Sequence, residues 1–430
     1  GARGMLACRG KKERPTGAAA VTALLLLALF AAPSASTAQS GMRPITLEQA
    51  VDSALRNNLY RKGAALRSEA EEALIGTAWD LPRTNVDVEY GQINTNVNDD
   101  RISLTQSLAF PTVYTRRRQM LKHTAAGVRW EQALREREVR TQVKQAYHEV
   151  LIRTEELRLL TEADSIYTKA TAGEEQRYDL GSSNTLQRAT ARTQGMLMRA
   201  RMTQVRAELE QTRTRLAQLL NTTAQLQPVP IPLKLAPQTM PGDAAVLNHP
   251  LVRAANEQEA AADARWRMER STMLPDITLG VASMTLYQSP SVPDANVIYG
   301  RGDRFTAVRA GIGIPLFFGA QSARNKAARL GTERATTETQ ALTQEVRVQL
   351  QQARQRYEAQ LARVEALEQG ATQEAEDLRR AAEEAFAKGQ IGRLEWSLLN
   401  GQSITLSMEY LDALRALGRA SHELNAFNEF

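Results

Sequence analysis

Cysteine is almost absent: one, Cys8, among 430 residues. That count excludes a disulfide framework and a thiolate metal site. The four histidines, His123, His148, His249 and His422, are scattered, and none sits in a His-x-x-x-His or Cys/His spacing. Aromatics make up only 5% of the chain, while Ala, Arg, Gln, Glu and Leu dominate long stretches. That composition is closer to coiled coil than to a compact enzyme. Proline is missing from Thr112 to about Ala172 and again from Phe317 to about Lys388. After residue 32 no apolar run approaches the roughly 20 residues a spanning helix needs.

The apolar run that does exist, Ala18 to Ala32, follows a basic segment carrying Arg3, Arg9, Lys11, Lys12 and Arg14. Small residues, Ser36-Thr37-Ala38, come next. This order predicts a secretory signal over residues 1–38. Cys8 lies inside it, and Ala38-Gln39-Ser40 offers no cysteine for lipidation. Removing that segment leaves 49 basic against 47 acidic residues, so the basic pI reflects the signal and gives little reason to expect nucleic acid as a partner.

Chemistry-bearing patterns are few. The pairs Glu71-Glu72, Glu174-Glu175 and Glu383-Glu384 lie among helix formers with basic neighbours and read as solvated faces. Gly311-Ile312-Gly313 falls in a strand pattern and opens no helix, so it cradles no phosphate. Neither a catalytic group nor a cofactor site is expected.

The chain repeats itself. Leu81-Pro82 is echoed by Leu274-Pro275, Phe110-Pro111 by Ile314-Pro315, Glu138-Val139-Arg140 by Glu345-Val346-Arg347, and Tyr178-x-x-Gly181 by Phe386-x-x-Gly389. The offset grows from 193 to 208, which places a longer loop in the second copy around Ser289 to Asp303. The first copy spans 39–227, the second 243–430, and a Pro-rich connector at 228–242 separates them.

Each copy has the same grammar: helix, Leu-Pro, two strands, Pro, very long helix, Gly, long helix. The strands, at about 83–110 and 276–314, show period-two alternation. Val86, Val88 and Tyr90 alternate with Asn85, Asp87 and Glu89. Ile102, Leu104 and Leu108 do the same, with Gln106 interrupting; Val308, Ala310, Ile312 and Ile314 follow suit. The third strand, from Ile277, loses its parity near Ser283. Runs of about ten residues fit tilted strands that cross a bilayer.

The long helices carry apolar residues at 4-3-4 spacing: Val139, Val143, Ala146 and Val150, matched by Val346, Leu350, Ala353 and Tyr357. Gly181 and Gly389 are the stop signals. Each copy is therefore expected to form a long antiparallel helical hairpin with its tip near 181 or 389. Four strands cannot close a barrel in lipid, and thin hairpins cannot bury a core alone. The expected fold class is α+β and internally duplicated. Long hairpins would form an oligomeric α-barrel, and four strands per protomer would contribute to a shared transmembrane β-barrel.

With this order of elements, the Thr46-Leu47-Glu48-Gln49-Ala50 opening and the Asn57-Asn58 that follows, the chain resembles the TolC-like outer-membrane factors. It is similar to their heavy-metal and multidrug efflux branch. The resemblance implies a homotrimer embedded in outer-membrane lipid, with a large periplasmic portion. It also implies a periplasmic adaptor and an inner-membrane transporter as partners, and service as the exit duct of a tripartite efflux system. A duct for type I protein secretion and a secreted coiled-coil protein without a pore are the competing readings. Tyr178, Leu180 and Gly181 at one tip, and Phe386, Gly389 and Ile391 at the other, are the candidate adaptor contacts. The family places an acidic residue near the periplasmic constriction, which makes Glu395 the gate candidate, with Arg393 as its neighbouring cation; the first copy has Gln187 near the matching place. The chain departs from many relatives in lacking a lipidation cysteine, and its second tip has Phe386 in place of Tyr.

Overall fold

The computed structural model describes residues 42–94, 96–237, 239–288 and 298–429. The segment read as a signal, and 289–297 of the longer loop, lie outside the described residues. The helices and strands all belong to one unit, Arg43–Phe430.

Strand β1 (Arg43–Ile45) leads into α1 (Leu47–Asn57) through a capping box, in which Thr46 accepts from the Gln49 amide and the Gln49 side chain accepts from the Thr46 amide. Helix α2 (Leu59–Leu74) and a 3₁₀ turn, Ile75–Trp79, reach β2 (Asn85–Gly91) and β3 (Asp99–Leu108). Pro111 then starts α3 (Pro111–Asp179), unbroken over 69 residues and about 100 Å long. Helix α4 (Thr185–Leu219) runs back, capped by Asn184, and β4 (Leu226–Pro228) pairs in parallel with β1.

The second copy repeats the order: α5 (Ala244–Asn248), α6 (Pro250–Ser271), β5 (Asp276–Thr285), β6 (Arg304–Gly313), α7 (Gly319–Ala366), α8 (Thr372–Ala387) and α9 (Arg393–Asn425). Here the long helix departs from the expectation of a single run. A π turn, Leu367–Ala371, divides α7 from α8. Glu368 in that turn accepts from Lys234 Nζ at 2.6 Å and from the Tyr410 hydroxyl at 2.8 Å, so the connector and α9 both hold it.

The 4-3-4 residues are the core. Val139, Val143, Ala146 and Val150 are buried with Leu209, Leu216 and Leu220 of the return helix. Val346, Leu350, Ala353 and Tyr357 are buried with Leu411, Leu414, Leu417 and Leu424. Between hairpins, α3 and α9 meet at glycines: a Cβ on Gly401 would collide with the Tyr167 hydroxyl, and one on Gly418 with the His148 ring. Small residues there let two helices approach closely enough to fix their register.

The strands form one antiparallel sheet in the order β2-β3-β5-β6. The centre joins the two copies, with Leu104 opposite Val281 and Thr105 opposite Gly280. Strand β5 keeps its pairing with β6 through Thr285, past Ser283, where its apolar alternation breaks. That serine is held by Arg304, whose Nε donates to Ser283 Oγ at 3.0 Å.

Candidate functional site

Register sorts the sheet into two faces. One carries the row Val86, Leu104, Val281, Val308, with Val88, Ile102, Leu279, Ile277 and Ile312 beside it. The other carries Asn85, Thr105, Gly280, Arg309 and the Glu89–Arg101 ion pair at 3.2 Å. The apolar face is uncovered: Val308 is 84% exposed and Ile312 70%. Gln106, the polar interruption, sits at the end near the long helices, where it donates to the Pro82 carbonyl at 2.8 Å and accepts from the Thr84 hydroxyl. The outer end of this face closes with the Asp100–Arg304 ion pair at 2.7 Å. Ten-residue strands at about 3.4 Å per residue, tilted about 45°, span roughly 25 Å, the height of a lipid-facing band.

Scarce as they are, aromatics gather at the inner end of that band. Trp79 stacks on Tyr114 with centroids 5.4 Å apart, Phe317 is 90% exposed, and Phe318 is exposed beside it. The Tyr114 hydroxyl accepts from the Ala109 amide at 3.0 Å, tying α3 to the end of β3. Rings of this kind settle at a membrane–water boundary. Among the described residues no helix is long and apolar enough to cross a membrane.

The hairpin tips are the second candidate region. Gly181 adopts φ +70° and Gly389 φ +72°, the left-handed conformation that closes a helix. The bond pattern matches at both tips. Gly181 N–H donates to the Tyr178 carbonyl (2.9 Å) and Ser182 N–H to Arg177 (2.8 Å); Gly389 donates to Phe386 (3.0 Å) and Gln390 to Ala385 (2.9 Å). Exchange of Tyr for Phe leaves that backbone motif intact.

The side chains divide. Tyr178 and Phe386 are half-buried in their own hairpins. Arg188 lies over the Tyr178 ring at 3.7 Å, and Phe386 stacks on Trp396 at 5.2 Å. Leu180 is exposed at the first tip, and so is Leu186, which sequence reasoning passed over. Its signal was available: an apolar residue in the first helical turn after the Asn184 cap. Ile391 is half-buried.

Glu174 is not on a solvated face, contrary to the expectation for the glutamate pairs. It is 1% exposed, accepting from Ser183 Oγ at 2.8 Å and from Arg177 at 3.0 Å, so it braces the turn from within. Glu395 stands exposed in the first turn of α9. Arg393 turns away toward the first hairpin: it lies over Phe386 at 5.7 Å, packs against Gly173, and donates to the Lys169 carbonyl at 3.4 Å.

No protein-family model and no curated protein matches the chain. Its backbone does match solved structures. A membrane protein from Pseudomonas aeruginosa superposes with TM-score 0.75 at 17% identity, covering 89% of this chain and 93% of that one. The CmeC outer membrane channel of Campylobacter jejuni gives 0.73 at 15%, covering 89% and 85%. The open state of the MtrE outer membrane channel of Neisseria gonorrhoeae gives 0.68 at 17%, covering 89% and 88%. The chain has the TolC-like outer-membrane channel fold. The open sheet and the hairpin tips lie at opposite ends of the long helices.

Proposed function

We propose that the chain is one subunit of an outer-membrane exit duct in a tripartite efflux system, assembled as a homotrimer. The sheet carries this reading. Its two outer strands, β2 and β6, have no partner on their far sides within the described chain, and its apolar face is uncovered. Open edges do not survive in lipid, and exposed apolar faces do not survive in water. Closure by neighbouring copies, β6 of one against β2 of the next, meets both demands. The polar face then lines a wet lumen, and the hairpins close a periplasmic tube below it.

The tube ends at Gly181 and Gly389, where Leu180 and Leu186 give a periplasmic adaptor an apolar landing, with the inner-membrane transporter beyond it. Glu395, exposed where α9 leaves the tip, narrows the pore electrostatically. Because Arg393 is engaged with Phe386 and Lys169, the glutamates rely on water and mobile cations for neutralisation.

The deciding experiment is membrane fractionation followed by planar-bilayer recording of the purified protein. Recovery in the outer membrane with stable ion conductance is expected. Recovery as a soluble periplasmic protein without conductance would sink the reading.

A further inference from the structure

Charge is distributed unevenly along the molecule. Four segments surround the inner end of the sheet: 73–84, 111–122, 264–275 and 315–326. Together they hold ten basic residues and two acidic ones, Asp80 and Glu269. The surplus of eight exceeds that of the entire chain, which is six, so the rest of the protein is slightly acidic. The concentration is local and recurs in both copies, with Arg116-Arg117-Arg118 just inside α3 and Arg324 and Lys326 just inside α7.

Most of these cations lack acidic partners; Arg267, paired with Asp263 one turn back, is an exception. Among the described residues Arg116, Arg117, Arg118, Arg270, Arg324 and Lys326 form no ion pair. Arg116 donates to the neutral Gln119, Arg117 lies 5.9 Å from the Tyr114 ring, and Arg270 lies over Trp266 at 5.6 Å. Two to four turns further from the sheet the pattern reverses. Arg129 pairs with Glu72, Arg67 with Glu131, Arg61 with Glu136 and Arg135 with Glu138. The arginines just below the belt on α2 and α3 are thus held by acids of their own chain, while most of those within it are left to something outside it. A neighbouring copy brings the same composition to the same level, two acids against ten basic residues, so assembly leaves most of these cations uncompensated.

The level identifies the partner. Arg117 rests on Tyr114, and Tyr114 on Trp79, the aromatic stack at the boundary of the apolar band. We infer that this belt binds the phosphates of anionic phospholipids in the periplasm-facing leaflet of the outer membrane. Guanidinium groups match phosphate oxygens in a fork geometry, and basic residues at a membrane surface select anionic headgroups. The inference rests on the outer-membrane reading above; it adds a lipid class and a binding level.

The test is native mass spectrometry of the detergent-purified protein with phosphatidylglycerol and phosphatidylethanolamine in equal amounts. Wild type should retain phosphatidylglycerol about tenfold over phosphatidylethanolamine at low salt, less at high salt. Arg116→Gln/Arg117→Gln/Arg118→Gln should bring that ratio close to one, and Arg129→Gln, below the belt, should leave it unchanged. Arg324→Gln/Lys326→Gln, on a separate helix, should lower the ratio on its own and answers the question if the triple variant fails to fold. Equal retention of the two lipids by wild type overturns the inference, as does a ratio unmoved in the belt variants. A shift of ion selectivity toward cations without a lipid effect would place the belt on the lumen and also overturn it. Conductance of the same preparation keeps the two ideas apart. A conducting wild type without lipid preference sinks only the belt, and lipid preference without conductance sinks only the channel.

Discussion

Asn58 joins two helices end to end: its Nδ2 donates to the carbonyl of Leu219 at 3.1 Å, while its Oδ1 accepts from the amides of Tyr60 and Arg61. One buried side chain thus finishes α4 and starts α2, making a rod from two segments distant in sequence. The second copy uses His249 at the matching junction. Its Nδ1 accepts from the Leu251 amide at 3.2 Å, and its ring lies 5.6 Å from that of Phe427 at the end of α9. Asn58→Ala removes the cap and strands the Leu219 carbonyl, so a loss of about 1–2 kcal/mol is expected. Asn58→Asp keeps the cap but sets a carboxylate oxygen against that carbonyl, and should fall at or below the alanine variant. Urea unfolding midpoints at constant slope measure both.

Acid should weaken the same region. Burial pulls His249 down to about 3, aided by the nearby Arg137 charge, and burial pulls His422 down to about 3, aided by His148 and Lys144. A histidine depressed in the folded state contributes its full stability above its unfolded value of about 6.5 and loses it as pH falls toward the folded value. Below that upper limit each histidine should cost about 1.4 kcal/mol per pH unit. Thermal midpoints between pH 7.5 and 5, above the carboxylate range, should drop for wild type and flatten for His249→Asn/His422→Gln. An equal drop in that variant would assign the acid sensitivity elsewhere.

The glycines separate into two kinds, and substitution should tell them apart. Gly401 and Gly418 are contact glycines, pressed by Tyr167 and His148, and their alanine variants must push α3 and α9 apart, at about 1–3 kcal/mol each. Gly181 and Gly389 have open space around them and are needed only for their positive φ. Gly181→Asn, which tolerates that conformation, should be near neutral, and Gly181→Val should cost about 1–2 kcal/mol. Denaturant midpoints in one series would show whether the order holds.

Periodic features were legible in the residues themselves. The 4-3-4 core residues, the alternating strands and the duplicated grammar follow from periods of 3.6 and 2, which local sequence carries. What escaped depends on residues far apart in the chain or across a turn. Glu174 read as one of a solvated pair because Ser183, which buries it, comes after the turn. Arg393 read as a cation for Glu395 because they are close in sequence, yet Gly173 opens a place for it on the other hairpin. The π turn at Leu367–Ala371 has no sequence mark beyond Gly370, and its support comes from Lys234 and Tyr410. The basic belt was hidden by averaging: over residues 39–430 the balance is 49 basic against 47 acidic.

At the tips, exposure separates docking from packing. Leu180 and Leu186 touch little of their own chain, so Leu180→Asp/Leu186→Asp should leave the unfolding midpoint within about 0.5 kcal/mol of wild type. The same change puts two charges on the apolar landing and should abolish adaptor crosslinking and export. Phe386→Ala breaks the stack on Trp396 and should lower stability by about 1–3 kcal/mol as well. Export and crosslinking unchanged in the Leu180/Leu186 variant would move the docking site off the tips.

Glu395 offers the sharpest electrical test. In the proposed trimer three copies would face one another where α9 leaves the tip, and the side chain is exposed in the single chain. Carboxylates crowded within a Debye length of about 8 Å at physiological salt repel one another and concentrate cations between them. Arg393 cannot relieve that repulsion while it lies over Phe386 and donates to Lys169. Glu395→Gln removes the charge at nearly constant volume. In planar bilayers it should lower cation selectivity, and the difference from wild type should shrink as salt rises from about 0.1 to 1 M, where the Debye length falls to about 3 Å. Arg393→Gln supplies the contrast. If Arg393 is a brace between hairpins, its loss should alter gating frequency or stability and leave selectivity in place. Selectivity and conductance identical in wild type and Glu395→Gln would put this glutamate on the outside of the tube, where its position in the first turn of α9 would serve only the helix dipole.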